Sequence, residues 1–74
     1  MKTTIENRRI EMSDILLLGS FEAISGPKKV RVATQNINGQ KCIKCYFSDQ
    51  TTVTERQFTR PTMASMFINQ FLGI

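Results

Sequence analysis

Seventy-four residues, 41% of them apolar, with a formal charge of +4, describe one small folded domain and exclude a disordered chain by composition. The chain has no histidine and only two cysteines, which removes the commonest general base and metal ligand and argues against a disulfide scaffold. The longest apolar run, residues 15–18, is far short of the roughly 20 residues a membrane-spanning helix needs.

We therefore expect a single domain over residues 1–74, with residues 1–13 forming a flexible or loosely packed segment. Lys2 is followed by polar threonines and then by Glu6, Arg8 and Arg9 rather than by an apolar run. That pattern is not a secretory signal, and a reducing, cytoplasmic setting is the expectation. Within residues 1–13 only Ile5 and Ile10 are aliphatic anchors, so the segment reads as a tail, a first strand or a short helix laid over the sheet. Glu6 and Glu11 offset Arg8 and Arg9.

Residues 15–25, ILLLGSFEAIS, fit two readings. A helix would start from Ser13 and stop at Gly26-Pro27. A strand would place Ile15, Leu17, Gly19, Phe21 and Ala23 on one face. The strand is preferred, because Gly19 inside a helix costs about 1 kcal/mol.

The most legible stretch is residues 30–47. Asn38-Gly39 is the favoured pair for a two-residue type I′ turn, because both positions need positive φ. The turn pairs Ile37 with Gln40 and thereby Arg31 with Tyr46 and Val30 with Phe47. Alternation then puts Val30, Val32, Thr34, Ile43, Cys45 and Phe47 on a core face. Arg31, Ala33, Gln35, Cys42, Lys44 and Tyr46 share the opposite face. Residues 49–58 begin with a turn and continue as an edge strand from about Thr52, where Glu55 and Arg56 would discourage unwanted pairing.

Residues 61–72 predict a helix, with Pro61 at its start, Thr62 as a candidate N-cap and Gly73 as its stop. Met63, Phe67 and Phe71 form a stripe that Met66, Ile68 and Leu72 widen. No charged residue occurs from Pro61 to the end of the chain. One sheet face would cover about half of such a helix. The remainder would meet the amino-terminal segment or another protein.

The expected fold class is α+β: a small antiparallel sheet or open barrel of three to four strands with the C-terminal helix on one face. Catalysis is not expected, since the carboxylates are scattered and no phosphate loop or nucleophile elbow occurs. The spelling Cys42-x-x-Cys45 lacks the second pair a zinc site needs, and the offset sends the two sulfurs to opposite faces. No metal or cofactor is expected.

The basic residues are concentrated. Lys28, Lys29, Arg31, Lys41 and Lys44 lie in a span from Ala23 to Ser48 that holds no Asp or Glu. A basic sheet face carrying Tyr46 suits single-stranded nucleic acid, with cations on phosphates and the ring stacking on a base. DNA and RNA are not distinguished by this pattern. The alternative is a small protein-binding regulator or inhibitor of mobile-element type. It would act through Met63, Met66, Phe67 and Phe71 or a free strand edge, as a homodimer or against an acidic protein surface.

Overall fold

The computed structural model describes residues 3–74, in which seven elements follow one another: β1 (Thr4–Glu6), α1 (Met12–Leu18), β2 (Ser20–Ser25), β3 (Lys28–Ile37), β4 (Gln40–Ser48), β5 (Val53–Phe58) and α2 (Pro61–Leu72). The strands form one open sheet in the order β1-β2-β3-β4-β5. Strands β2 to β5 are an antiparallel meander, whereas β1 lies parallel to β2. The α+β class stands. The expected three to four antiparallel strands become five in a mixed, unclosed sheet, because residues 4–6 add a strand that reaches β2 only after α1 has crossed over.

Turn chemistry sets the meander. Asn38 and Gly39 adopt φ 53° and 78°, the positive pair a type I′ turn demands, and every partner from Ile37↔Gln40 to Val30↔Phe47 falls in the expected register. Gly26, at φ 60°, occupies the first central position of the β2–β3 turn, where Pro27 can follow. Between β4 and β5 the Asp49 Oδ1 accepts the backbone N–H groups of Thr51 and Thr52, both at 3.0 Å, and thus holds the turn.

The 15–25 stretch is neither of the two things its sequence suggested. Residues through Leu18 are helical, Gly19 turns the chain at φ 72°, and the strand begins at Ser20. The preferred strand reading is corrected on its first half. Ile15 is the one buried residue of α1, and Leu17, assigned to the core face, is 83% exposed. The start is Glu11, not Ser13; the Glu11 N–H donates to Asp14 Oδ2 at 2.8 Å. The second half behaves as a strand should, with Phe21 and Ala23 buried.

Helix α2 has the expected span, with Pro61 in its first turn. Its N-cap is Arg60 rather than Thr62, and Gly73 closes it in the left-handed conformation, its N–H donating to the Asn69 carbonyl at 3.0 Å. The helix lies on the face formed by Val30, Val32, Ile43, Cys45 and Phe47. Ala64, Ile68 and Leu72 point into that core, and Phe67 and Phe71 pack at its border.

The amino-terminal segment covers the next part of α2. Ile5 and Ile10 are buried, so residues 3–13 contribute to the core. Asn69, only 5% exposed, clasps the segment: Ile10 N–H donates to Asn69 Oδ1 at 2.7 Å, and Asn69 Nδ2 donates to the Ile10 carbonyl at 3.0 Å. Arg9 Nη1 donates to the Ile74 carbonyl at 3.2 Å.

Candidate functional site

Two surfaces hold the residues singled out in the sequence. The first is the sheet face opposite α2. Lys29, Arg31, Lys44 and Tyr46 share this face, as register and alternation require. Arg31 sits directly across from Tyr46, and both line shallow depressions of about 370 and 400 Å³.

The neighbouring strands add what the hairpin sequence did not show. Glu22 stands opposite Arg31 on β2, with Arg31 Nε at 3.6 Å and Lys29 Nζ at 3.9 Å from its carboxylate oxygens. Glu55 stands opposite Tyr46 on β5, and Glu6 shares the face from β1. Among the described strand residues, three cations therefore share this face with three carboxylates, and Glu22 pairs with two of the cations.

Lys28 and Lys41 do not join that constellation. Both have the parity of Val30 and Ile43 and so belong to the helix-bearing side. Lys28 Nζ lies 5.4 Å from the centroid of the Phe71 ring, near the carboxy-terminal end of α2. A cation there is favoured by the helix dipole and by the ring. Lys41 is exposed near the hairpin tip, two residues before Ile43.

The second surface lies between β5 and α2. Phe47, Thr54, Arg56, Phe67, Gln70 and Phe71 line a groove of about 450 Å³, and no carboxylate lines it. The Arg56 guanidinium carbon lies 4.7 Å from the Phe67 centroid and 5.7 Å from that of Phe58. Phe58 and Phe67 stand 5.3 Å apart, and Phe47 meets Phe71 edge-on at 5.2 Å. Phe47, Phe67 and Phe71 thus pack on the core and also line the groove, while Phe58 supports Phe67 from the core side.

Sequence reasoning missed Arg56 and Phe58 as site residues. Residues two apart in a strand share a face, but the poor alternation of residues 53–58 does not show which face α2 covers.

The groove opens at the sheet edge. The Asp49 N–H donates to the Thr52 carbonyl at 3.1 Å, which sets the phase of the β4–β5 ladder. Thr54, Arg56 and Phe58 then spend their backbone groups on Phe47, Cys45 and Ile43. The N–H and C=O groups of Val53, Glu55 and Gln57 point the other way, to the open side.

Met63 and Met66, named with Phe67 and Phe71 as a contact surface, are exposed, and so are Met12, Leu16 and Leu17 of α1. Met12 and Met66 line one depression between the two helices, so their apolar surfaces adjoin.

The cysteines separate as the register predicted. Cys45 is buried beneath α2, and burial pushes its thiol up to about 12. Cys42 is half-buried on the opposite face, its Sγ 3.7 Å from Gln57 Oε1. Among the described residues no group of three or more His, Cys, Asp or Glu side chains comes together as a metal site would require. No helix among them is long and apolar enough to cross a membrane. Comparison of the chain with family models, with curated proteins and with solved structures finds no match.

Proposed function

We propose that the chain is a small, non-enzymatic protein-binding regulator that engages its partner on the helix-bearing side, through the β5–α2 groove. One observation carries this reading: the Arg56 guanidinium is stacked 4.7 Å from Phe67 in an aromatic groove whose lining holds no carboxylate. Interfaces favour aromatic and Arg anchors in such pockets. The groove is thus suited to an acidic protein surface that also presents apolar side chains.

The test is affinity capture from the native host with wild type and Arg56→Glu, both treated with nuclease. Arg56 is exposed, so the substitution leaves the core intact. A protein that survives nuclease on wild type and is lost from Arg56→Glu supports the reading. Capture that ignores the substitution counts against it.

The same reading gives Met63 and Met66, with Met12 and Leu16, the role of a self-association surface. Sedimentation of Met66→Lys checks that part, and a dimer that survives the charge removes it.

A second reading, nucleic-acid binding, is favoured by Lys29, Arg31 and Lys44 gathered around Tyr46 on a face that bears neither helix. It expects affinity for single-stranded DNA or RNA that falls steeply with salt and is abolished by Arg31→Glu with Lys44→Glu. Unchanged binding by that double variant removes it.

A further inference from the structure

We propose that the partner docks by strand addition: an extended acidic peptide pairs with the open edge of β5 and sets alternate side chains into the β5–α2 groove. The inference rests on the protein-binding reading and specifies how contact is made.

The backbone is prepared for it. Val53, Glu55 and Gln57 present their N–H and C=O groups to the open side, for the reason given by the Asp49–Thr52 bond. Strand β5 is regular over six residues and holds no proline or bulge; its charged residues, Glu55 and Arg56, oppose unselective pairing and leave the edge to a strand of matching charge. Main-chain pairing supplies affinity in this mode, and pockets for alternate side chains supply selectivity.

The side chains say what the added strand carries. Residues directly opposite across a ladder share a face. Peptide residues on the helix side therefore meet Thr54, Arg56 and the aromatic rim of Phe47, Phe67 and Phe71. A carboxylate opposite Arg56 answers the guanidinium, and an apolar side chain beside it fills the groove. Lys28, over Phe71, adds positive charge at the far end. On the other face the peptide meets Glu55, which favours a neutral or basic residue there.

A second copy of this chain fits the same edge less well. The twofold antiparallel pairings centred on the middle of β5 set Glu55 against Glu55 or Arg56 against Arg56, and like charges directly opposed are destabilising.

The probe is a synthetic peptide of about eight residues, a strand's usual length, in which threonine alternates with glutamate and phenylalanine. A control peptide carries lysine in place of glutamate. Amide exchange and chemical shifts are followed by NMR on the full chain. The acidic peptide is expected to slow exchange at Val53, Glu55 and Gln57 by roughly tenfold or more, and to leave the already bonded Thr54 and Arg56 unchanged. The lysine peptide leaves all five unchanged.

Glu55→Pro removes one outward N–H at an edge position where proline is tolerated, and circular dichroism checks its fold. It is expected to weaken peptide binding at least tenfold. Peptide shifts around Tyr46 instead of β5, or a folded Glu55→Pro that binds as wild type does, overturn strand addition. So does concentration-dependent protection of β5 without peptide, which assigns the edge to a second copy. If Glu55→Pro keeps the host partner while Arg56→Glu loses it, the docking mode falls and the protein-binding reading stands. If neither substitution affects the partner, the protein-binding reading falls as well.

Discussion

Thr34 and Asn69 show how differently two polar side chains near the core are treated. The Thr34 hydroxyl lies on the core face of β3 and has no hydrogen-bond partner among the described residues. A buried hydroxyl left unpaired costs about 1–3 kcal/mol, and valine has nearly its shape. Thr34→Val is therefore expected to stabilise the protein by about 1 kcal/mol, read as a higher urea midpoint at unchanged slope. Asn69 is the opposite case, since both ends of its amide are satisfied by Ile10. Asn69→Ala strands the Ile10 N–H and carbonyl in a buried site. The expected loss is about 3 kcal/mol, a large share of the 5–15 kcal/mol typical of a small domain. Urea unfolding at neutral pH reads both changes, and a neutral Asn69→Ala would show that water replaces the clasp.

At the scale of elements, turns and caps hold the acid sensitivity. The Thr51 and Thr52 N–H groups hold the Asp49 carboxyl below its ordinary range, and the Arg8 side chain does the same for Asp14. A carboxyl lowered in the folded state contributes stability above its unfolded pKa of about 4, and that stability is lost as pH falls through the lowered folded value. Stability is therefore expected to decline below about pH 4. In Asp49→Ala the decline is shallower, which acid titration of the urea midpoint measures.

Legibility also divides by element. The β3–β4 hairpin could be read to the residue, because Asn38-Gly39 fixes the turn and the two faces differ sharply in polarity. Helix α2 was equally plain between Pro61 and Gly73. Helix α1 was not legible. It spans seven residues, buries only Ile15, and so leaves no periodic stripe to detect. Gly19 looked like a weak point inside one element, but it is the joint between two. Half of the candidate site escaped for a related reason. Arg56 and Phe58 gain meaning only when α2 is known to lie over their face, and the carboxylates beside Arg31 and Tyr46 come from β2 and β5, outside the hairpin whose register could be read.

For the whole molecule, positive charge is set apart from the sheet face that first drew attention to it. The face holding Tyr46 balances its own cations with Glu6, Glu22 and Glu55, while Lys28, Lys41 and Arg56 lie on the helix side. The thiols report on global integrity. Cys45 lies beneath α2 with its thiol pushed up to about 12, so it reacts only when the core opens. A thiol reagent at pH 8 is expected to label Cys42 readily in the native protein, and Cys45 at the rate of global unfolding. Equal rapid labelling of both would mean that α2 lifts from the sheet on its own.

The clasp between Ile10 and Asn69 joins groups 59 positions apart, whereas each hairpin of the meander joins neighbours. Loop closure favours near contacts, so the meander assembles first and the clasp shuts last. The amino-terminal strand is then a late arrival and an early departure. Partial opening would begin at β1, on the side of the sheet away from β5, and would leave the β5 edge in place while the far side frays.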